Sequence, residues 1–362
     1  MPVSHQASFY QWCLSHFGRE PLAYLTGNTM NLFTTRLSEF FWTYDCKAIV
    51  LAVRPETQDA VTVELLPNPH FCQPKPGQHI EVAVDLRDSG ELTRRCYSIT
   101  EATEHSISIT VKRKPKGSVS TWIHRCLQPG RILDISAPRG QFVFRPQPAV
   151  TMICAGSGIT PCYAILQDIE RNHPATRARL FYRSARPENT LFRYSLNQHR
   201  NAPNYVFSYS QGPMRSPFGS LEEEFASRFP IKQEEPVYLC GPESFRDAVI
   251  LLLEKQGYDL KNLIIENFGA PGRKTLSRDS YRGKSTITLA NKNLSFTVEE
   301  AQKKTLLEAA EEAGIALEHG CRSGMCGTCK TRLLEGSVSG NQLGDHVYPC
   351  SSYAASASVI LE

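Results

Sequence analysis

Four cysteines near the C-terminus constrain this chain more than any other feature. Cys321, Cys326 and Cys329 follow a C-x4-C-x2-C spacing, and twenty residues separate Cys329 from Cys350. Three clustered thiols plus one distant thiol match the pattern that holds two irons and two sulfides. Zinc is the rival reading, but zinc knuckles usually carry C-x2-C twice. Gly320, Gly324 and Gly327 let the backbone curl tightly and turn N–H groups toward sulfur. Such a loop makes the chain an electron carrier.

With 362 residues the chain exceeds one ordinary core and predicts two or three domains. Its 41% hydrophobic and 21% charged residues are those of a globular protein. A net charge of +4, with no basic stripe interleaved by aromatics, argues against a dedicated nucleic-acid binder. No apolar run reaches membrane-spanning length, and the N-terminus lacks the pattern of a secretory signal. The other eight cysteines are scattered singly, which fits a reducing cytoplasm better than a disulfide framework.

Residues 1–44 show no clean period and read as an extension that packs on the body or makes contacts. Over 45–146, short β-rich runs alternate with turns such as Pro76-Gly77 and Arg139-Gly140. They predict a small antiparallel barrel. Over 147–268, strands alternate with helices, among them an expected helix at Thr190–His199, and predict an open parallel sheet. Residues 269–284 are a basic, apolar-poor linker. Residues 285–362 hold strands, a helix at Thr305–Ala313 and the cysteine loop.

Four motifs outside that loop carry chemistry. Arg95-Cys96-Tyr97-Ser98-Ile99 on a barrel strand offers a cation for phosphate, a ring for stacking and a hydroxyl for hydrogen bonding, with Arg95 and Tyr97 on one face. Gly117-Ser118-Val119-Ser120 opens a helix whose N-terminus suits an anion. Ser120 or Thr121 could instead cap that helix. Lys112 and Arg113 just before it add positive charge or form a solvated strand edge. Gly156-Ser-Gly158-Ile-Thr160-Pro161 joins a strand to a helix, as a pyrophosphate turn does. Cys240-Gly241-Pro242 ends a late strand, where ligands of parallel sheets bind. A buried apolar thiol is the plainer reading of Cys240. His124 and His319 read as structural.

In this order the motifs resemble the ferredoxin–NADP⁺ reductase superfamily, and the cysteine loop narrows the match to members with a C-terminal plant-type 2Fe–2S domain. Those members include reductases of the hybrid cluster protein, of Rieske oxygenases, of phenylacetyl-CoA epoxidase and of acyl desaturases. The resemblance covers about residues 46–362. It implies a flavin-binding barrel, a Rossmann-like nicotinamide domain and a β-grasp ferredoxin domain. Tyr97 and Ser98 would line the flavin ring, Arg95 would meet its phosphate, and Gly117 to Ser120 would hold the pyrophosphate. Gly156, Gly158, Thr160 and Pro161 would take the nicotinamide dinucleotide. Cys240, Gly241 and Pro242 would lie near the nicotinamide. Glu266-Asn267-Phe268 resembles the motif ending the reductase module, with Phe268 near the flavin. Tyr97, Ser98 and Cys240 form the expected catalytic set, Ile99, Lys112 and Arg183 further cofactor contacts, and the four loop cysteines the iron ligands. The spacing to Cys350 is shorter than this family leads one to expect, as if Gly336–Val347 had lost a short helix.

The resemblance implies FAD rather than FMN. Arg183 and Arg186, in place of an acid for the ribose, favour NADPH over NADH. Hydride chemistry delivers two electrons and a cluster carries one, so the flavin must stand between them. The expected activity is electron transfer from NAD(P)H to an external protein acceptor: an oxygenase, a desaturase or the hybrid cluster protein. A non-catalytic redox sensor with the same cofactors is the alternative.

Overall fold

The computed structural model describes residues 3–17, 40, 45–86, 92–115, 117–266, 281, 283–299, 304–319, 324, 329–343 and 345–362. They fall into two compact units, Met1–Glu266 and Asn267–Glu362.

The first unit begins with helix α1 (Val3–Phe17). Its Tyr10 and Leu14 join Phe40 against Ile49 and Leu66, on the outside of a barrel. Helix α1 and Phe40 thus pack on the barrel. The barrel strands are β1 (Lys47–Thr57), β2 (Ala60–Pro67), β3 (His79–Asp85), β4 (Leu92–Ala102), β5 (Ile107–Lys112) and β6 (Ile132–Ile135). They close in the order β1-β2-β5-β4-β3-β6. Val50, Val63, Val82, Ile99 and Ile109 fill the interior. Helix α2 (Ser118–Cys126) plugs it with Val119 and Ile123. His124 Nε2 lies 2.9 Å from the Val111 carbonyl oxygen, a structural role as expected.

The parallel sheet follows, in the order β11-β10-β7-β8-β9. Its strands are β7 (Ala149–Ala155), β8 (Arg177–Ser184), β9 (Tyr205–Tyr209), β10 (Val237–Cys240) and β11 (Leu263–Glu266). Its helices are α3 (Ile159–Asn172), α4 (Arg193–Asn197), α5 (Leu221–Arg228) and α6 (Glu243–Lys255). Strand β7 is buried almost throughout, as a central parallel strand covered on both faces must be. Helix α4 is shorter than the Thr190–His199 expected, because Phe192 sits in the left-handed region at φ +57°. Its N–H donates to Glu56 Oε1 of the barrel at 3.0 Å, and its ring stacks on Tyr163 with centroids 3.9 Å apart.

The second unit is a four-stranded sheet in the order β13-β12-β15-β14. Its elements are β12 (Ser285–Leu289), β13 (Leu294–Val298), α7 (Leu306–Glu312), β14 (Thr331–Leu343) and β15 (His346–Leu361). β12 pairs antiparallel with β13 and parallel with β15, and α7 packs its Leu306, Ala309 and Ala310 on the sheet, a β-grasp arrangement. Residues 336–343 belong to β14 and 346–347 to β15, with Gly340 facing Ser352. A Cβ at Gly336 would lie 2.2 Å from the Ser358 carbonyl oxygen, so two backbones cross there in contact.

Candidate functional site

The R-x-Y-S strand is β4. Arg95 is exposed, and one of its guanidinium nitrogens donates to the Arg94 carbonyl at 2.7 Å. Tyr97 is half-buried against the barrel core, and burial pushes its phenol up. Ser98 and Ile99 are buried. Thr160 Oγ1 of α3 donates to Ser98 Oγ of β4 at 3.3 Å. That bond joins the barrel to the turn between β7 and α3. Lys112 is an ion-pair partner of Asp59 at 3.3 Å.

Three helix starts carry the other motifs. Gly117 is the N-cap of α2 and offers no side-chain cap. The Ser120 hydroxyl closes the turn, accepting from Lys114 N at 3.2 Å and donating to Gly117 O at 3.5 Å. A Cβ on Gly117 would sit 2.7 Å from that Oγ. Ser118 and Val119 follow at the helix start, where uncapped amides and the helix dipole fit a phosphate.

At the second start Gly156 has φ +56° and nothing within 4 Å of a Cβ position, so bare backbone faces open space. Gly158 is the reverse case, its Cβ position being 2.3 Å from the Cys240 carbonyl oxygen. Thr160 and Pro161 are buried in the first turn of α3. Sequence reasoning missed Tyr182, whose buried hydroxyl donates to the Gly156 carbonyl at 3.1 Å and accepts from Leu191 N at 3.1 Å. It also missed the buried Glu224 carboxylate, which takes Arg183 at 3.1 Å, Arg228 at 3.3 Å and the Ser208 hydroxyl at 3.0 Å. Arg183 is therefore already paired.

Cys240 ends β10 between Cys154 of β7 and Glu266 of β11. It is fully buried, and burial, Cys162 and Glu266 push its thiol well up, so it is neutral. Gly241 packs on Phe245 and Ala155, and Pro242 is the uncapped N-cap of α6. Phe268 lies outside the described residues.

In the second unit Cys329 and Cys350 are buried thiols with Sγ atoms 3.2 Å apart, packed by Leu307, Leu317 and Tyr348. The Gly324 amide donates to Cys350 Sγ at 3.1 Å. Converging sulfurs that receive a backbone N–H in an apolar shell fit an iron–sulfur cluster. Cys321 and Cys326 lie outside the described residues. Arg332, three residues after Cys329, is paired with Asp345 at 2.7 Å.

Known proteins agree with this layout. Residues 60–144 match an oxidoreductase FAD-binding domain, 152–250 an oxidoreductase NAD-binding domain, and 288–355 a 2Fe–2S iron–sulfur cluster binding domain. One component of the 1,2-phenylacetyl-CoA epoxidase of Escherichia coli K12 is 28% identical over 80% of this chain and 86% of its own length. The glycine betaine monooxygenase reductase of Chromohalobacter salexigens is 27% identical over 73% of this chain and 78% of its own. Phthalate dioxygenase reductase superposes with a TM-score of 0.58 at 24% identity, over 87% of this chain and 97% of that one. Full-length CYP116B46 from Tepidiphilus thermophilus superposes at 0.67 and 23%, and this chain spans 41% of that longer protein. No helix among the described residues is long and apolar enough to cross a membrane. With a closed antiparallel barrel, a parallel dinucleotide sheet and a β-grasp unit in sequence, the chain belongs to the ferredoxin-reductase-like oxidoreductases that bind FAD and NAD and carry a C-terminal 2Fe–2S domain.

Proposed function

We propose that this protein is the reductase component of an oxygenase system: it draws electron pairs from NAD(P)H and delivers them singly to an oxygenase partner. The bond from Thr160 to Ser98 carries the reading, because it brings the nicotinamide turn against the flavin strand. The flavin, when bound, supplies conversion of a two-electron donor to one-electron output. The chain's own residues orient and enclose. Tyr97, Ser98 and Ile99 would line the flavin ring, with Arg95 and the amides of Gly117, Ser118, Val119 and Ser120 on its phosphates. Gly156, Gly158, Thr160 and Pro161 would cradle the dinucleotide, with Arg183 toward its ribose. Cys240, as a neutral thiol walled by Gly241 and Pro242, would exclude water beside the nicotinamide. Cys321, Cys326, Cys329 and Cys350 would bind the irons. The likeness to reductases of oxygenase systems supports that partner class over a desaturase or the hybrid cluster protein.

Replacing Cys350 by serine tests the order of carriers. NAD(P)H should still bleach the flavin at close to the wild-type rate, while cytochrome c reduction through the cluster is abolished. Undiminished one-electron output would overturn the order, and binding of NAD(P)H without bleaching would favour a sensor. A comparison of kcat/KM for NADH and NADPH reads whether Arg183, already paired with Glu224, still discriminates a 2′-phosphate.

A further inference from the structure

One barrel side chain reaches across to the parallel-sheet half of the first unit, at a point none of the motifs covers. Glu56 is the next-to-last residue of β1, and both of its carboxylate oxygens are engaged. Oε2 accepts the Thr62 hydroxyl of β2 at 3.3 Å, within the barrel. Oε1 accepts the Phe192 amide at 3.0 Å, across 136 residues of chain. Phe192 stands between β8 and α4 at φ +57°. That conformation is uncommon for a residue with a Cβ, so contacts from outside the segment must hold it. Two do so: the Glu56 carboxylate, and the Tyr163 ring of α3, stacked at 3.9 Å with 11° between the planes. Tyr163 is itself fixed. Its hydroxyl lies 2.9 Å from Ser195 Oγ of α4 and accepts from Gln167 Nε2 at 2.6 Å.

The residue before Phe192 carries the contact inward. Leu191 is fully buried, and its amide donates to the Tyr182 hydroxyl at 3.1 Å. That hydroxyl donates in turn to the Gly156 carbonyl at 3.1 Å. Burial above all, then Cys154 and to a smaller extent Glu56, push the Tyr182 phenol well up, so the hydroxyl keeps the proton it donates. The Gly156 carbonyl also accepts from the Ile159 N–H, so it is held from two sides. A trans peptide is planar, so a fixed Gly156 C=O fixes the Ser157 N–H in the opposite direction, away from Tyr182. One chain of contacts thus runs from β1 of the barrel to the turn before α3: Glu56, the adjacent amides of Phe192 and Leu191, Tyr182 and Gly156.

The turn is therefore tied to the barrel twice. The Thr160–Ser98 bond ties the helix side of the turn to β4, and Glu56 ties its first carbonyl to β1. Two ties at separate points fix an orientation, where one would leave a pivot. Hydride transfer depends steeply on such orientation, because donor and acceptor must meet in a near-attack geometry. We propose that Glu56 is a positioning residue for the nicotinamide dinucleotide: by holding the Phe192 amide it braces, through Leu191 and Tyr182, the Gly156 peptide on which the dinucleotide would lie. This deepens the proposed function and rests on its assignment of the Gly156 turn to NAD(P)H. The part played by Glu56 is geometric, and no proton or electron passes through it.

Hydrogen exchange in the full chain tests the brace without any added nucleotide. Glu56→Ala should speed exchange of the Phe192 and Leu191 amides and of the turn spanning Gly156. Glu56→Gln keeps an oxygen acceptor and should restore much of the protection. Faster exchange at Phe192 alone, with Leu191 and the Gly156 turn unchanged, overturns the relay, as does no change at all. Anaerobic stopped-flow reduction of the holoprotein is the second test, with whichever of NADH and NADPH reduces the wild type. Glu56→Ala should lower the limiting rate of flavin bleaching about tenfold and weaken nucleotide binding, while flavin content and flavin potential stay at wild-type values. Tyr182→Phe should do the same. The double variant should be no worse than the poorer single one, because both changes cut one chain of contacts. Effects that multiply, or wild-type bleaching in Glu56→Ala, overturn the role. If neither nucleotide bleaches the wild type, the proposed function falls instead, while the exchange data still decide whether Glu56 braces the turn.

Discussion

The helices of this molecule begin in two different ways. α5 starts on Ser220, whose hydroxyl accepts from Glu223 N, and α7 starts on a full capping box between Thr305 and Glu308. α2, α3 and α6 start on Gly117, Gly158 and Pro242, and none of these supplies a side-chain cap. Those three starts carry the motifs that sequence analysis assigned to phosphate and nicotinamide, while the short α4, also uncapped on Phe192, carries none. A capped helix satisfies its own first amides. An uncapped one leaves donors and a positive dipole end for a ligand. In the proposed reading, the uncapped α2, α3 and α6 are the helices whose first turns are left for cofactors.

The largest effect on this contrast is expected at Gly158. A methyl group there meets the Cys240 carbonyl at 2.3 Å, and neither backbone is free to yield. Gly158→Ala should cost about 1–3 kcal/mol of stability by overpacking. It should also part the α3 start from the end of β10, so that NAD(P)H binding collapses. Thermal denaturation and nucleotide titration followed by flavin fluorescence check this. A variant with wild-type melting and affinity would mean the two starts are not mechanically joined.

Gly156→Ala sharpens the comparison because its neighbourhood is the opposite. Space around the new methyl is open, and the cost comes from φ +56°, about 1 kcal/mol for an L residue. Stability should fall modestly. The methyl would stand where the dinucleotide approaches, so KM for NAD(P)H should rise several-fold while kcat stays near wild type. A fall in kcat with KM unchanged would place the nucleotide elsewhere.

These contrasts also show what sequence can carry. Strand–turn–helix rhythm, period-two strands and glycine-marked turns are local, and they foretold the barrel and the parallel sheet. Contacts across long separations left no such mark. Nothing around Glu224 signals that it will hold Arg183. The hydroxyl of Tyr182 under Gly156 is equally silent, because a tyrosine in a strand gives no sign of which distant backbone it will meet. Phe192 broke a predicted helix because Glu56, on a distant barrel strand, accepts its amide hydrogen in a conformation that local propensity disfavours. The close backbone approaches at Gly336 and Gly340 in the β14–β15 pair were likewise unannounced by local pattern.

The smallest expected effects lie at the capped helices, and they complete the contrast. Ser220→Ala and Thr305→Ala each remove a hydroxyl that accepts an amide, at 3.1 Å and 3.2 Å. Loss of such a cap costs about 1 kcal/mol. In Thr305→Ala the Glu308 carboxylate still accepts the N–H of residue 305, so half of the reciprocal pair survives and the loss should fall at the lower end. Flavin content, nucleotide affinity and the visible spectrum of the cluster should be unchanged in both, because neither helix start faces a cofactor in this reading. Chemical denaturation gives the stability change, and equilibrium dialysis of flavin and nucleotide gives the rest. If Ser220→Ala weakened nucleotide binding as much as Gly156→Ala, capping would not mark which helix ends are free for ligands, and the division between the two kinds of start would fall.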